Sequence, residues 1–171
     1  MSGRSEVRAF LSLGGNLGDP RQSMAAALRI IDADPATRVG AVSSLYRTPP
    51  WGDVVQPDFL NCAAEVQTRR SARDLLELCL GAERQLKRVR TIPGGPRLID
   101  VDVLSYGDET VREEGLEIPH PRMLSRAFVL LPLREIAPDL LLEGRSLDAW
   151  IATVDSDGIS VVTEGGEWWQ A

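Results

Sequence analysis

Residues 95–104 read Gly-Pro-Arg-Leu-Ile-Asp-Val-Asp-Val-Leu, GPRLIDVDVL. The apolar residues after the proline suit a β-strand, in which successive side chains alternate between faces. Ile99, Val101 and Val103 then share one face and read as core. Leu98, Asp100, Asp102 and Leu104 share the other. Two carboxylates stand side by side there, with Cα atoms roughly 6.5–7 Å apart. Like charges so placed repel unless water, a guanidinium or a cation screens them. The apolar neighbours put the pair on a central strand rather than an edge. Two readings stay open at this point: hydrated aspartates on an exposed face, or ligands for a hard cation such as Mg²⁺, which takes one or two carboxylates and completes its shell with water and phosphate oxygens.

The elements around this strand can be read outward from it. Residues 7–13, VRAFLSL, form a first strand, and the GGNLGD loop follows as a tight turn, with Asn16 near the site. Asp19 caps a helix over 20–33, Pro20 suits its first position, and Met24, Ala27, Leu28 and Ile31 recur at helical spacing. Val39–Arg47 reads as one strand and Phe59–Thr68 as the next. Ser71 caps a second helix whose inner stripe is Leu75, Cys79, Ala82 and Leu86. Gly107-Asp108 makes a turn, and short helices are expected near 121–136 and 146–153. The order β-α-β-β-α-β predicts an α+β, ferredoxin-like fold: an antiparallel sheet centred on the strands from 7, 39, 59 and 99, helices packed on one face, and extra short helices at the C-terminal end. A single unit over 1–171 is expected, with a core at 7–153 and a tail at 154–171.

Composition narrows the classes. With 171 residues, 43% hydrophobic and 26% charged, the chain can bury a core without staples. The net charge of −6 argues against nucleic acid or an anionic membrane as partner. An RNA-binding ferredoxin-like module would need a basic face and aromatic RNA-stacking motifs, and neither is present. Cys62 and Cys79 lie among apolar residues outside any CxxC pair and read as buried thiols in a reducing compartment. No apolar run approaches a membrane span, and the N-terminus lacks a signal-type apolar stretch, so the cytoplasm is expected.

Three further groups accompany the aspartates. Arg88, Arg90 and Arg97 flank a Pro/Gly-rich loop at 91–96, and Arg122 and Arg126 follow the only histidine, His120. Guanidinium groups bind phosphate bidentately and keep their charge, which with Mg²⁺ suits a nucleoside triphosphate; solvated surface arginines are the plainer alternative. His120, fixed between Pro119 and Pro121, can donate to a phosphate, act as a general acid or be structural. The Thr48-Pro49-Pro50-Trp51 turn and the Asp58-Phe59-Leu60-Asn61 segment offer a rigid loop, flat rings and an amide, which suits a planar hydrogen-bonding heterocycle or an ordinary turn with core aromatics.

SLGGNLGD, SSLYRTPPWG, QPDFLN, GPRLIDVDVL, IPHPRM and SRAFVLLPL occur in the order seen in the 6-hydroxymethyl-7,8-dihydropterin pyrophosphokinases of folate biosynthesis, which the chain resembles from about residue 9 to 151. The resemblance implies a ferredoxin-like fold, a monomer acting on small molecules, and transfer of a pyrophosphoryl group from ATP, as co-substrate, to a reduced pterin with release of AMP. It implies two Mg²⁺ ions on Asp100 and Asp102. It implies a pterin pocket of Thr48, Pro49, Trp51, Phe59, Asn61 and Phe128, and an ATP side of Glu83, Arg88, Arg90, Arg97, Val103, His120 and Arg126. Arg88 and Arg97 fall where loop arginines assist the transfer. Against the family's pattern, the 91–95 loop is one residue shorter, with Gly94 where an aromatic residue is usual. Leu80 and Leu124 replace polar residues. The altered 91–95 loop keeps a second reading open, a paralogue that binds pterin or nucleotide with weak or no turnover.

Overall fold

The computed structural model describes residues 5–50, 55–87 and 99–170. Its strands are β1 (Val7–Gly15), β2 (Thr37–Val42), β3 (Leu45–Thr48), β4 (Phe59–Thr68), β5 (Asp100–Tyr106), β6 (Val111–Glu113), β7 (Leu116–Ile118), β8 (Leu141–Leu142), β9 (Arg145–Ser146) and β10 (Ser160–Thr163). The centre is a six-stranded antiparallel sheet in the order β10-β3-β4-β1-β5, with β2 also paired to β4, while β6 pairs with β7 and β8 with β9. The β-α-β-β-α-β order is present, with α1 (Pro20–Asp32) and α2 (Ala72–Leu86) as its helices. Asp19 accepts the Gln22 N–H at 3.1 Å and Ser71 accepts the Asp74 N–H at 3.1 Å, so both helices start at the caps expected from the sequence.

The two faces of the sheet carry different cores. Leu11 and Leu13 of β1, Cys62, Ala64 and Val66 of β4, and Val101 and Val103 of β5 pack under Met24, Leu28 and Ile31 of α1 and Leu75, Cys79 and Ala82 of α2. Phe10, Ala63 and Leu104 face the opposite way, under Val129, Leu130 and Leu133 of α3 (Ala127–Ile136) and Leu147 of α4 (Leu147–Ile151). The ferredoxin-like helices thus share one face as expected, and the C-terminal helices close the other. Both thiols are free and buried, and burial pushes the Cys79 thiol up to about 12, with Glu83 and Asp102 adding to the effect.

Three expectations change. The run 39–47 is two strands: Ser43 and Ser44 interrupt it, Ser43 Oγ donating to the Ser44 carbonyl and accepting the Ala63 N–H at 2.9 Å. The break lets β2 and β3 pair with different stretches of β4. Gly14 and Gly15 end β1 rather than forming a turn, and the loop proper begins at Asn16. The aspartate strand is not central but last in the sheet. Its run of apolar residues reflects cover on both faces. Its outer edge is managed by side-chain and loop contacts: Glu83 accepts the Val101 N–H at 2.6 Å, and the Leu104 carbonyl accepts the His120 N–H at 2.9 Å.

Beyond Asp155 the sequence shows little periodicity, yet the segment is built into the fold. β10 adds an edge to β3, and Trp168 and Trp169, each 6% exposed, enter the core beneath α1 and α2. The Trp168 indole N–H donates to the Ser43 carbonyl at 2.9 Å and the Gly165 N–H donates to Ser44 Oγ at 2.9 Å, so this segment is fastened to the break between β2 and β3.

The ends of α1 and the start of α2 are tied by Asp34, whose carboxylate takes two hydrogen bonds from Arg70, at 2.8 and 2.5 Å. Hydrogen bonding from Arg70 holds the Asp34 carboxyl below the usual aspartate range despite partial burial. A depressed carboxylate pKa adds stability above the unfolded-state value and forfeits it as pH falls through the folded-state value. Asp34→Asn is therefore expected to lower the unfolding free energy by about 1–2 kcal/mol at neutral pH. The gap to the parent should close in acid, where both side chains are uncharged. Urea unfolding at several pH values checks this, and a gap that persists unchanged in acid would refute the ion-pair account.

Candidate active site

The candidate site lies across one row of the sheet. Tyr46 of β3 pairs with Asn61 of β4, Asn61 with Gly14 of β1, and Gly14 with Asp100 of β5. In the adjacent same-face row, Ala63 pairs with Ser12 and Ser12 with Asp102. Residues directly paired across antiparallel strands point to the same side. Asn61, Gly14, Ser12, Asp100 and Asp102 therefore share the face that α3 covers farther along. Two strand spacings separate Asn61 from Asp100, about 9–10 Å.

At one end of this row the buried Asn61 amide donates to Thr48 Oγ1 at 2.8 Å, and Thr48 pairs with Phe59 across β3 and β4. A methyl group on Gly14 would lie 2.7 Å from Asn61 Oδ1, so glycine is needed for the amide to sit where it does. The buried Asn16 amide donates to the Gln56 side chain at 3.0 Å and the Pro57 carbonyl at 2.9 Å, fixing the approach to β4. Thr48, Pro49, Phe59 and Asn61 thus occupy one corner of the molecule. Trp51 lies outside the described residues.

At the other end, a cleft of about 490 Å³ opens along the outer edge of β5. Leu76, Leu80 and Glu83 of α2 wall one side, and the hairpin of β6 (Val111–Glu113) and β7 (Leu116–Ile118) with His120 walls the other. Asp100, Asp102 and Val103 form its floor. Both aspartates are half-buried. Glu83 is raised above the usual glutamate range by burial, opposed by its bond from Val101 N–H and by Lys87, and reinforced by Asp100 and Asp102. Lys87 Nζ reaches Asp100 Oδ1 at 3.0 Å and Glu83 Oε1 at 3.6 Å. Burial works against the Lys87 charge, but Asp100 and Glu83 together hold its pKa above the ordinary lysine value.

His120 is half-buried, and its Nδ1 accepts the Arg122 N–H at 3.2 Å, which leaves the proton of the neutral ring on Nε2. Burial lowers its pKa, with Arg126 and Arg122 acting in the same direction and Asp102 and Glu117 against it. The Arg126 guanidinium lies 5.6 Å from the centre of the half-buried Phe128 ring. A neutral N–H donor and the Asp102 carboxylate therefore meet at the cleft, with the Arg126 charge close enough to act on His120. Arg88, Arg90 and Arg97 lie outside the described residues.

Lys87 and Gly14 were not among the site residues expected from sequence. Lys87 stands four residues after Glu83, a helical spacing that juxtaposes the two side chains and is legible in the sequence. Gly14 carried no signal of its own, because its role depends on which residue of β4 lies opposite.

Oxygen donors in pairs suit Mg²⁺. Asp100 already draws a cation, the Lys87 ammonium, to within 3.0 Å. Among the described residues no group of three or more His, Cys, Asp and Glu is arranged to hold a metal. The donor set therefore fits an ion whose shell is completed by water and substrate phosphates, rather than a protein-enclosed centre.

Comparisons with known proteins identify the family. Residues 10–138 match the family model described as 7,8-dihydro-6-hydroxymethylpterin-pyrophosphokinase (HPPK). A 2-amino-4-hydroxy-6-hydroxymethyldihydropteridine pyrophosphokinase of Methylorubrum extorquens is 47% identical over 156 residues, covering 91% of this chain and 99% of the relative. The enzyme of the same name from Pseudomonas aeruginosa is 40% identical over 153 residues, covering 89% and 94%. The wild-type Plasmodium falciparum HPPK-DHPS crystal structures, with STZ-DHP and with pteroate, share the fold at TM-score 0.72 and 14% identity, covering 90% and 89% of this chain. The chain spans less than half of those larger molecules, 44% and 45%. No described helix is long and apolar enough to cross a membrane. With a matching family model over most of its length and near-full-length relatives at 40–47% identity, the chain belongs to the 7,8-dihydro-6-hydroxymethylpterin-pyrophosphokinase family.

Proposed function

We propose that the protein transfers a pyrophosphoryl group from ATP to the hydroxymethyl oxygen of 6-hydroxymethyl-7,8-dihydropterin, releasing AMP. The observation that supports the reading is the placement of Asp100 and Asp102 on the floor of the cleft along β5 and on the same face of the sheet as Asn61, which is bonded to Thr48. In the reaction the substrate oxygen bonds to the β-phosphorus, the bond from that phosphorus to the oxygen bridging to AMP breaks, and the hydroxyl proton is given up.

Positioning and charge neutralisation are the main demands of phosphoryl-type transfer. Asn61 and Thr48 present an amide and a hydroxyl to the rim of the pterin, with Pro49, Trp51, Phe59 and Phe128 as flat or rigid walls. Glu83, Val103, His120, Arg126 and Arg90 hold the nucleotide, His120 donating from Nε2. Arg88 and Arg97 stabilise the charge developing on the transferred group. Asp100 and Asp102 would hold two Mg²⁺ ions, and an aspartate oxygen accepts the proton leaving the pterin hydroxyl. Magnesium, when bound, supplies Lewis-acid neutralisation of the triphosphate. Lys87 must give up its contact with Asp100 for the carboxylate to take that role. The reading includes a cytoplasmic monomer that needs neither nucleic acid nor membrane.

Incubation of the purified protein with ATP, Mg²⁺ and the pterin alcohol is expected to yield AMP and the pterin pyrophosphate in equal amounts. ADP as the nucleotide product, or no AMP above background, would sink the reading.

A further inference from the structure

We infer that the C-terminal segment from Asp155 to Thr163 is a brace that sets the position of the Thr48–Pro49 turn, and through it the affinity for the pterin. The inference rests on the assignment of that turn to the pterin side. Its ground is a set of contacts that converge on one short stretch. β10 pairs with β3, Ser160 opposite Arg47 and Val161 opposite Tyr46, so the partner strand leads straight into Thr48 and Pro49. The loop before β10 turns at Gly158, whose φ of +83° favours glycine. A methyl group there would come within 2.9 Å of Pro49 Cγ and 3.4 Å of Pro49 Cδ. The Asp155 carboxylate accepts the Asp157 N–H at 2.9 Å and shapes the same loop. Beyond β10, the Gly165 bond to Ser44 and the Trp168 bond to Ser43 fasten the segment at the other end of β3.

β3 is only four residues long. On one side it pairs with β4 and on the other with β10, so without the latter its last residues would form a free edge leading into a proline turn. Asn61 holds Thr48 from the β4 side, and Gly158 abuts Pro49 from the opposite side. The turn is thus held between two supports, of which the second comes from the far end of the chain. Residues 155–163 are not among the proposed substrate contacts and act by positioning.

The test is Gly158→Ala, which pushes on Pro49 and leaves the tryptophans in the core. Binding of the pterin and of a non-hydrolysable ATP analogue is measured separately, by calorimetry. The dissociation constant and KM for the pterin are expected to rise about tenfold, with the nucleotide constant unchanged within about twofold. In a Pro49→Ala background the effect of Gly158→Ala on pterin affinity should shrink to what the +83° backbone alone costs an alanine, because the ring atoms it strikes are gone; such non-additivity is not expected of a general loss of stability. Asp155→Ala, a milder loosening of the loop, should shift pterin binding in the same direction and provides the test if Gly158→Ala does not fold. Asn61→Ala serves as the control for the pocket itself. If Asn61→Ala weakens pterin binding while Gly158→Ala and Asp155→Ala do not, or if they weaken both ligands equally, the brace is refuted. If Asn61→Ala also leaves pterin binding unchanged, the assignment of the pocket fails, and the brace with it.

Discussion

Asp102→Ala and Asp100→Ala are each expected to reduce turnover by at least about a thousandfold, because on the proposed reaction each removes charge neutralisation worth several kcal/mol from the transition state. The fold should survive both changes. The opposite face of β5 carries the core, through Ile99, Val101 and Val103, all under 5% exposed, and the substitutions leave that face alone. Removing one of two adjacent carboxylates also relieves repulsion on the strand. In Asp100→Ala the loss of the Lys87 contact is small, since both partners are about one-third exposed and such pairs contribute little. The thermal midpoint is expected to stay within a few degrees of the parent. Nucleotide affinity in the presence of Mg²⁺ should fall in each variant, while affinity in EDTA should change little, since only the metal-dependent part of binding is lost. A variant that turns over near the parental rate, or one whose nucleotide affinity drops equally with and without Mg²⁺, would show that the carboxylates do not act through a cation.

That strand was legible from the sequence because period-two alternation needs only local information. Ile99, Val101 and Val103 point inward as expected, and Asp100 and Asp102 share a face. Both helices were legible for the same reason, together with their caps Asp19 and Ser71. What failed depends on contacts distant in sequence. The rank of β5 in the sheet was misread because apolar residues report cover, and cover comes here from α2 and from the β6–β7 hairpin rather than from another strand. The break at Ser43–Ser44 was missed because two serines are compatible with a strand; the interruption is fixed by Ala63, Glu135 and Trp168, which lie 20 to 125 residues away. Glu135 of α3 accepts from the Ser44 N–H at 3.0 Å, the Ser44 hydroxyl at 2.9 Å and the Tyr46 hydroxyl at 2.7 Å, an arrangement that no local pattern announces. The resemblance to a known family brought Glu83, Asp100, Asp102, Val103 and His120 together before the cleft along β5 was seen, and each of them lines it.

Gly14→Ala tests the least conspicuous of the site residues, and a large effect is expected from one methyl group. Gly14 stands between Asn61 and Asp100 in the row across the sheet, between the corner proposed for the pterin and the aspartates proposed for the metal. No positive φ requires glycine there; the requirement is space. The added carbon would lie 2.7 Å from Asn61 Oδ1 and 3.3 Å from the Leu60 carbonyl. The carbonyl belongs to a paired strand and has little freedom to move, so the Asn61 amide has to give way. Turning it breaks the 2.8 Å bond to Thr48 and leaves two buried polar groups unmatched. Losing the aligned amide as a partner for the ring is expected to cost about 1–3 kcal/mol of binding, roughly 5- to 150-fold in pterin affinity. The cleft proposed for the nucleotide is bounded by α2, β5 and the β6–β7 hairpin, so the ATP constant should hold within about twofold. Asn61→Ala in the same background should add little, because the amide it removes is already displaced. Full additivity of the two changes would show that Gly14 acts on some group other than Asn61, and unchanged pterin affinity in Gly14→Ala would show that the amide does not hold the ring.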